Sequence, residues 1–247
     1  AYADLVLTGA IALGDEVNFV VPTGNFGDIL AGEFARRMGL PVGKLICASN
    51  ANNVLTDFIR TGCYDRRRAF HKTISPSMDI LVSSNLERYL YLASGGDTKL
   101  VARLMTSLND EGAYQAPESL VDAMHRRFGA YCASDAMCAH TIRRVWESER
   151  YLLDPHTAVA WSAMEQFRKE ADNGLATVVL ATASPYKFSR DVLESISGKV
   201  IENGFEAMDA LNAMTGVPVP KNLAALRDQK ARFTDCVEKG ALLEYVQ

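Results

Sequence analysis

The chain has 247 residues, of which 48% are hydrophobic and 23% charged, the proportions of an ordinary globular protein. This length supplies a full core without disulfides or a structural metal, in one large domain or two small ones. Twenty-six basic and thirty acidic residues give a net charge of −4. That balance argues against a nucleic-acid partner, because nucleic-acid surfaces neutralise phosphates.

The cysteines and the apolar runs indicate a protein of the cytoplasm. The five cysteines are odd in number, widely spread and without a CxxC pair, so we expect reduced thiols and no metal site. No apolar run approaches the roughly 20 residues that span a bilayer, and no secretory signal is recognisable, so we expect no membrane partner. Because helical spacing starts at once after Ala1, we expect the chain to begin inside a longer protein.

The first part of the chain alternates predicted helices and strands. Apolar spacing and turn residues predict, in order, helix 1–13, strand 17–21, turn 22–27, helix 29–38, strand 44–49 and helix 53–60. Strands that alternate with helices in this way are typical of a parallel sheet covered by helices.

The middle of the chain changes in character. Helical pieces interrupted by glycine and polar stretches predict a helical insertion over residues 84–127. The elements predicted after it are strand 128–133, helices 136–149 and 156–170, a strongly apolar buried strand 176–183, and a helical remainder. We therefore predict an α/β fold, a three-layer parallel sheet flanked by helices, in which residues 1–83 and 128–247 form one domain.

The turn after the first strand is the sharpest candidate site. Its sequence over 22–28 is Pro-Thr-Gly-Asn-Phe-Gly-Asp. Two glycines at a strand-to-helix junction let backbone N–H groups converge on an anion, and the following helix adds its positive end. A phosphate fits this turn, and a tight turn capped by Asp28 is the alternative. The turn matches neither a P-loop nor GxGxxG.

A second candidate site lies at the carboxyl end of the predicted strand 176–183. Thr182 and Ser184 have the same parity there, so both side chains are expected to face one site. In open α/β sheets ligands bind outside the carboxyl ends of the strands. Capping of the strand end by small hydroxyl residues is the alternative.

Other polar groups are weaker candidates. The four histidines form no metal pattern; His156 is expected to start a helix and is not assigned to catalysis. The run Arg66–Arg68 is interpreted as a solvated loop or a subunit contact rather than an anion patch. The block Ser83–Arg88 is typical of a helix start, a cap followed by Glu in the first turn, and its function is left open.

Taken together, these motifs resemble the threonine synthase family. The resemblance is collinear from about residue 17 to 190, in the segments Val20–Asp28, Ala31-Gly32, Met38–Pro41, Ser49-Asn50 with Asn52, Met78–Ile80, Ser83–Arg88, Asp154–Ala158 and Ala181–Phe188. Members of this family are fold-type II enzymes that use pyridoxal 5′-phosphate to convert O-phosphohomoserine and water to threonine and phosphate.

The resemblance implies a role for the matching positions. The loop that holds the cofactor phosphate corresponds to Gly24, Asn25, Phe26, Gly27 and Asp28. Thr182 matches the hydroxyl residue that faces the pyridine nitrogen. Relatives often have His at the position of Ser184, so no role is carried over to this serine. Lys187 is interpreted as a solvated lysine at a helix start rather than as a ligand of the substrate's phosphate.

The lysine that holds the cofactor as a Schiff base lies upstream of these motifs in the family, in a Ser/Thr-Phe-Lys-Asp type of segment. None of the nine lysines in this chain has that context. The resemblance thus implies a carboxyl-terminal part with no catalytic residue of its own, inactive alone. It implies a missing amino-terminal half as partner, and the surface facing that half is expected to self-associate. Two alternatives remain: another fold-type II lyase, such as a threonine dehydratase or cysteine synthase, and a non-catalytic remnant that binds phosphate.

Overall fold

The structure is a computed structural model, and it describes residues 1–230, 232 and 234–246. The strands are β1 (Val17–Pro22), β2 (Val42–Ser49), β3 (Cys63–Asp65), β4 (Ala113–Gln115), β5 (Phe128–Cys132) and β6 (Ala176–Val179). The helices are α1 (Tyr2–Leu7), α2 (Gly27–Arg37), α3 (Val54–Thr61), α4 (Leu86–Ala93), α5 (Thr98–Asp110), α6 (Glu118–Arg127), α7 (Asp135–Glu149), α8 (Pro155–Ala171), α9 (Ser189–Ser197), α10 (Gly204–Thr215), α11 (Lys221–Ala224) and α12 (Leu242–Val246).

Four strands form a parallel sheet in the order β5-β2-β1-β6. Val21 of β1 lies beside Cys47 of β2, and Val20 lies beside Val179 of β6. Since all four strands run in one direction, their carboxyl ends meet at one edge, where open α/β sheets bind ligands. The sheet therefore brings the turn after β1 and the segment after β6 to the same edge.

Alternating side chains of the sheet divide the core into two layers. Ile46 and Ala48 of β2 pack with Val159 of α8 on one face. Leu45 and Cys47 of the same strand pack with α2 and α3 on the other face. Because successive residues of a strand point to opposite sides, the run of apolar residues in β2 serves both layers. The α/β fold with a helix-flanked parallel sheet is thus confirmed.

The predicted insertion over 84–127 contains α4, α5 and α6 together with one short strand, β4. β4 pairs antiparallel with β3, and Tyr64 of β3 stacks on Tyr114 of β4 at 5.4 Å between ring centroids. Leu90 and Leu104 of the insertion share a core cluster with the α2 face of the sheet. The division of the chain into two units stays a prediction.

Two predicted elements are shorter in the structure. The helix predicted over 1–13 ends at Leu7, because Gly9 adopts a left-handed φ of 72° that stops it. The strand predicted over 176–183 ends at Val179, and its side chains are half-buried rather than buried. Among the described residues, β6 lies at the edge of the sheet and has β1 as its single neighbour, a position that an apolar run cannot reveal.

Within the described ranges, no helix combines the length and apolar character that crossing a bilayer requires. The same residues contain no group of three His, Cys, Asp or Glu side chains arranged to hold a metal ion.

Candidate functional site: a phosphate loop at the carboxyl edge of the sheet

The turn between β1 and α2, residues 23–28, forms a tight loop that we call the phosphate loop. Its centre is Phe26, which has a left-handed φ of 62° and is 1% exposed. A left-handed conformation costs an L-residue roughly 1–2 kcal/mol, so packing must hold it. The ring of Phe26 lies 6.0 Å from that of Tyr89 and 5.6 Å from that of Phe128. The aromatic core thus holds the loop in a conformation that its own residues disfavour.

The carbonyl groups of the loop are bound from one side by the block Ser83–Arg88. The Ser83 hydroxyl donates to the carbonyl oxygen of Gly24 at 3.2 Å. The backbone and side-chain amides of Asn85 donate to the carbonyl oxygen of Asn25 at 3.1 and 2.7 Å. In a planar trans peptide the N–H points opposite to the C=O. The N–H groups of Asn25 and Phe26 therefore point away from this block.

Beyond Thr23, whose amide donates to the carbonyl oxygen of Ala48 at 2.8 Å, the N–H groups of the loop have no acceptor in the part of the chain that the structure describes. This holds for the five backbone amides of residues 24–28. The first amides of a helix have no partner within the helix. Because α2 begins at Gly27, the positive end of its dipole lies beside these free amides. Partial burial raises the pKa of the Asp28 carboxyl above its usual range. The arrangement is suited to binding a phosphate.

Position 24 requires a glycine because its surroundings leave no room for a side chain. Its backbone angles would not by themselves demand one. A Cβ atom added to Gly24 would lie 2.8 Å from the carbonyl oxygen of Ser77 and 3.1 Å from Cα of Met78. Both are backbone atoms, which cannot move aside as the end of a side chain can. The segment of residues 73–85, which we call the crossing segment, therefore lies directly against the phosphate loop.

Asp79 anchors the crossing segment to the carboxyl end of β2. Its Oδ1 accepts from the side-chain amide of Asn50 at 2.7 Å and from that of Asn52 at 3.0 Å. Thr73 donates its hydroxyl to Oδ1 at 2.7 Å and its amide to Oδ2 at 3.0 Å. A half-buried carboxylate that accepts from this many donors fixes a loop in one position. The network explains how a segment without a helix or strand of ordinary length is held over the site.

The second predicted candidate, Thr182, lies in the chain that follows β6. It is exposed, three positions past Val179, where β6 ends beside β1. Ser184 accepts from the amide of Tyr186 at 3.3 Å and so caps a 3-10 turn over Pro185–Phe188. Ser184 therefore caps the turn that follows it and not the end of β6, which lies at Val179. Lys187 is exposed, and its ammonium lies 5.8 Å from the centroid of the Phe188 ring.

The arginine run Arg66–Arg68 is bound to neighbouring groups. Arg67 pairs with Asp65 at 2.9 Å, and Arg68 pairs with Asp57 at 2.7 Å. Arg66 donates to the carbonyl oxygen of Asn109 at 2.9 Å. These guanidinium groups hold a loop, which agrees with the interpretation of the run as a loop rather than an anion patch.

Sequence reasoning missed the residues that orient the loop. Ser83 and Asn85 were interpreted only as a helix start, and Ser77 and Asp79 carried no assigned role. The signal that marks them is the density of Ser, Asn and Asp around a segment without predicted secondary structure. Such side chains bind backbone groups readily.

Comparison with known proteins shows which family this chain is similar to. A family model described as "Threonine synthase, C-terminal" matches residues 157–246. The human protein "Threonine synthase-like 1" is 42% identical over 202 residues, which cover 81% of this chain and 27% of that protein. "Threonine synthase" of Saccharomyces cerevisiae is 41% identical over 197 residues, covering 74% of this chain and 38% of that protein.

Solved structures of threonine synthases are also similar to this chain. The crystal structure of threonine synthase from Brucella melitensis, described as bound to PLP, superposes with a TM-score of 0.74 at 38% identity. The match covers 85% of this chain and 44% of that one. The chain thus spans less than half the length of the relatives and structures named here. It belongs to the threonine synthase family and corresponds to a carboxyl-terminal portion of it.

Proposed function

We propose that the chain is the cofactor-phosphate-binding portion of a threonine synthase. The whole protein uses pyridoxal 5′-phosphate to convert O-phosphohomoserine and water to threonine and phosphate. One observation carries the proposal: within the described part of the chain, the N–H groups of residues 24–28 have no acceptor and lie at the start of α2, while the carbonyl groups of Gly24 and Asn25 are bound by Ser83 and Asn85.

The phosphate loop would hold the phosphate group of the cofactor. Gly24, Asn25, Phe26, Gly27 and Asp28 are the residues whose amides are available for it. A hydrogen bond to a charged group contributes about 1.5–3 kcal/mol, and the dipole of α2 adds to it. Several such bonds suffice to anchor the cofactor without a lysine or arginine in the loop.

Thr182 would face the pyridine nitrogen of the cofactor. Its position after β6, at the carboxyl edge that also carries the phosphate loop, supports this role. A hydroxyl, unlike a carboxylate, does not force that nitrogen to stay protonated. When bound, the cofactor supplies the electron sink that stabilises the substrate's carbanion. The hydroxyl of Thr182 would moderate that sink.

The cofactor-bearing lysine would lie upstream of this chain in the whole protein, so we expect the isolated chain to be inactive. The nine lysines of the chain all lack the family's lysine context, which supports this expectation. The half-buried edge strand β6 supports contact with an amino-terminal half, and the same edge favours self-association when that half is absent. The five unpaired thiols support a reducing compartment, the cytoplasm.

A substrate panel on the full-length protein tests the proposal. We expect phosphate release and threonine formation from O-phosphohomoserine, with cofactor bound. A preference for free serine or threonine instead would contradict the proposal and favour another fold-type II lyase. Absence of a cofactor-bearing lysine throughout the gene product would identify a non-catalytic phosphate-binding protein. The high similarity to proteins named threonine synthase favours the first outcome.

A further inference from the structure

His156 is a buried side chain without an assigned role, and it connects two elements of the candidate site. It lies in the first turn of α8 and is 3% exposed. Its Nε2 lies 3.2 Å from the amide nitrogen of Ser77, which donates to it. Its Nδ1 lies 3.0 Å from Oδ1 of Asp154, the residue that caps α8.

These two contacts determine which nitrogen of the imidazole carries the proton. The amide of Ser77 can only donate, so Nε2 of His156 must accept and carries no proton. A carboxylate accepts, so the proton on Nδ1 is donated to Asp154. His156 is therefore neutral, with its proton on Nδ1. The ring of Phe188 lies 4.8 Å away and restricts its rotation.

Ser77 is the point at which the crossing segment touches the phosphate loop. Its carbonyl oxygen would lie 2.8 Å from a Cβ on Gly24, so the two backbones are in close contact. Met78 is buried in the α8 side of the core. Gly24 is thus in contact with the backbone of Ser77 as well as hydrogen-bonded to the Ser83 hydroxyl, so a shift of Ser77 would displace it.

We propose that His156 is a positioning residue of the phosphate site. Its neutral imidazole is held by Asp154 and accepts a hydrogen bond from the Ser77 amide, which fixes the position of Ser77. Because Ser77 contacts Gly24, this bond keeps the amides of the phosphate loop directed at the cofactor phosphate. The proposal rests on the proposed function, and it adds a residue of α8 to that site without giving it contact with any reacting atom.

Two variants of the full-length protein separate the two contacts of His156. His156→Asn keeps a polar atom near Nδ1 but loses the acceptor for Ser77, whereas His156→Gln places an acceptor at the position of Nε2. We expect His156→Asn to bind pyridoxal 5′-phosphate about tenfold more weakly, as expected for a lost hydrogen bond that orders the site. The ³¹P signal of its bound phosphate is expected to move toward that of free cofactor. His156→Gln is expected to retain affinity within about threefold of wild type.

His125→Asn is the matched control, because the His125 ring lies 2.9 Å from the carbonyl oxygen of Ile59, away from the site. It is expected to leave the affinity and the ³¹P signal unchanged. The positioning role would be overturned if His156→Asn bound the cofactor as wild type does. Equal losses of cofactor affinity in His156→Asn and His156→Gln would overturn it as well. Failure of the wild-type protein to bind the cofactor would instead contradict the proposed function.

A measurement on the wild-type protein does not depend on how the variants fold. ¹⁵N NMR of the His156 side chain in the cofactor-loaded protein is expected to show a protonated Nδ1 and an unprotonated Nε2. A proton on Nε2 would exclude the contact with the Ser77 amide and overturn the proposal.

Discussion

The carbonyl oxygen of Asn25 accepts two hydrogen bonds from Asn85, one from its backbone amide at 3.1 Å and one from its side-chain amide at 2.7 Å. The two residues are 60 positions apart in the chain. Because the carbonyl group is bound on this side, the next amide, that of Phe26, is directed to the other side. A contact remote in sequence therefore gives the loop its direction.

Replacement of Asn85 tests this relationship. Asn85→Ala removes the 2.7 Å bond and leaves the backbone bond in place. We expect the affinity of the full-length protein for pyridoxal 5′-phosphate to fall about tenfold, equivalent to ~1.4 kcal/mol. Equilibrium dialysis measures the change. Asn203→Ala is the control, since Asn203 caps α10 and loses only that cap. Equal cofactor affinity in the Asn85 variant and wild type would show that this bond does not orient the loop.

Gly24→Ala places a methyl group against the backbone of the crossing segment. The added Cβ would lie 2.8 Å from the Ser77 carbonyl oxygen, so the loop must shift and its amides lose their direction. We expect loss of cofactor binding in an absorbance titration. Gly204→Ala has open space around its Cβ and is expected to bind as wild type does. Unchanged binding by Gly24→Ala would contradict the close contact.

Glu33 is expected to stabilise the protein in a pH-dependent way. It is 1% exposed and accepts from Arg36 at 2.8 Å and from Arg37 at 2.8 Å. Burial alone raises the pKa of Glu33, but hydrogen bonds from the two arginines outweigh it and lower the pKa below its usual range. A lowered pKa in the folded state adds stability above the unfolded pKa of about 4.3, and this stability is lost as the pH falls through the folded value.

Glu33→Gln is therefore expected to lower the free energy of unfolding at pH 7 by about 2 kcal/mol. The difference from wild type is expected to shrink as the pH falls below about 4. Urea titrations at a series of pH values measure it. Glu202→Gln breaks an exposed pair with Arg190 and is expected to cost less than about 0.5 kcal/mol. A Glu33 effect that does not change with pH would exclude the ion pairs as its cause.

Cysteine reactivity tests the packing beneath the loop. Burial raises the pKa of Cys47 to about 12, whereas Cys63 and Cys236 are exposed. Only the thiolate reacts with alkylating agents, so we expect iodoacetamide at pH 8 to label the two exposed thiols and leave Cys47 unmodified until the protein unfolds. Mass mapping of labelled peptides identifies the sites. Labelling of Cys47 as fast as Cys63 would contradict the burial of β2.

Much of the fold could be predicted from the sequence because its signals are local. The apolar runs of β1, β2 and β5 and the glycine that follows α3 mark elements by their own residues. The three residues of β4 have no such pattern, since they form a strand only by pairing with β3, 50 positions upstream. β6 was predicted too long and too buried, because its place at the sheet edge depends on the whole topology.

In the candidate site, too, local features could be predicted from the sequence and contacts between distant residues could not. The two glycines and the helix start after β1 predicted the tight loop in which we propose that a phosphate binds. The direction of the loop's amides could not be predicted, because it is set by Ser83 and Asn85. The contact between Ser77 and His156 joins residues 79 positions apart. Such contacts form only when the crossing segment packs over the phosphate loop, so the local sequence pattern does not reveal them.

The central claim is that the amides of the phosphate loop hold the cofactor phosphate. The most direct measurement is a crystal structure of the full-length protein with pyridoxal 5′-phosphate. We predict phosphate oxygens about 2.9 Å from the amide nitrogens of residues 24–28, at the start of α2. A cofactor bound with its phosphate elsewhere, and the loop amides facing only solvent, would contradict the account.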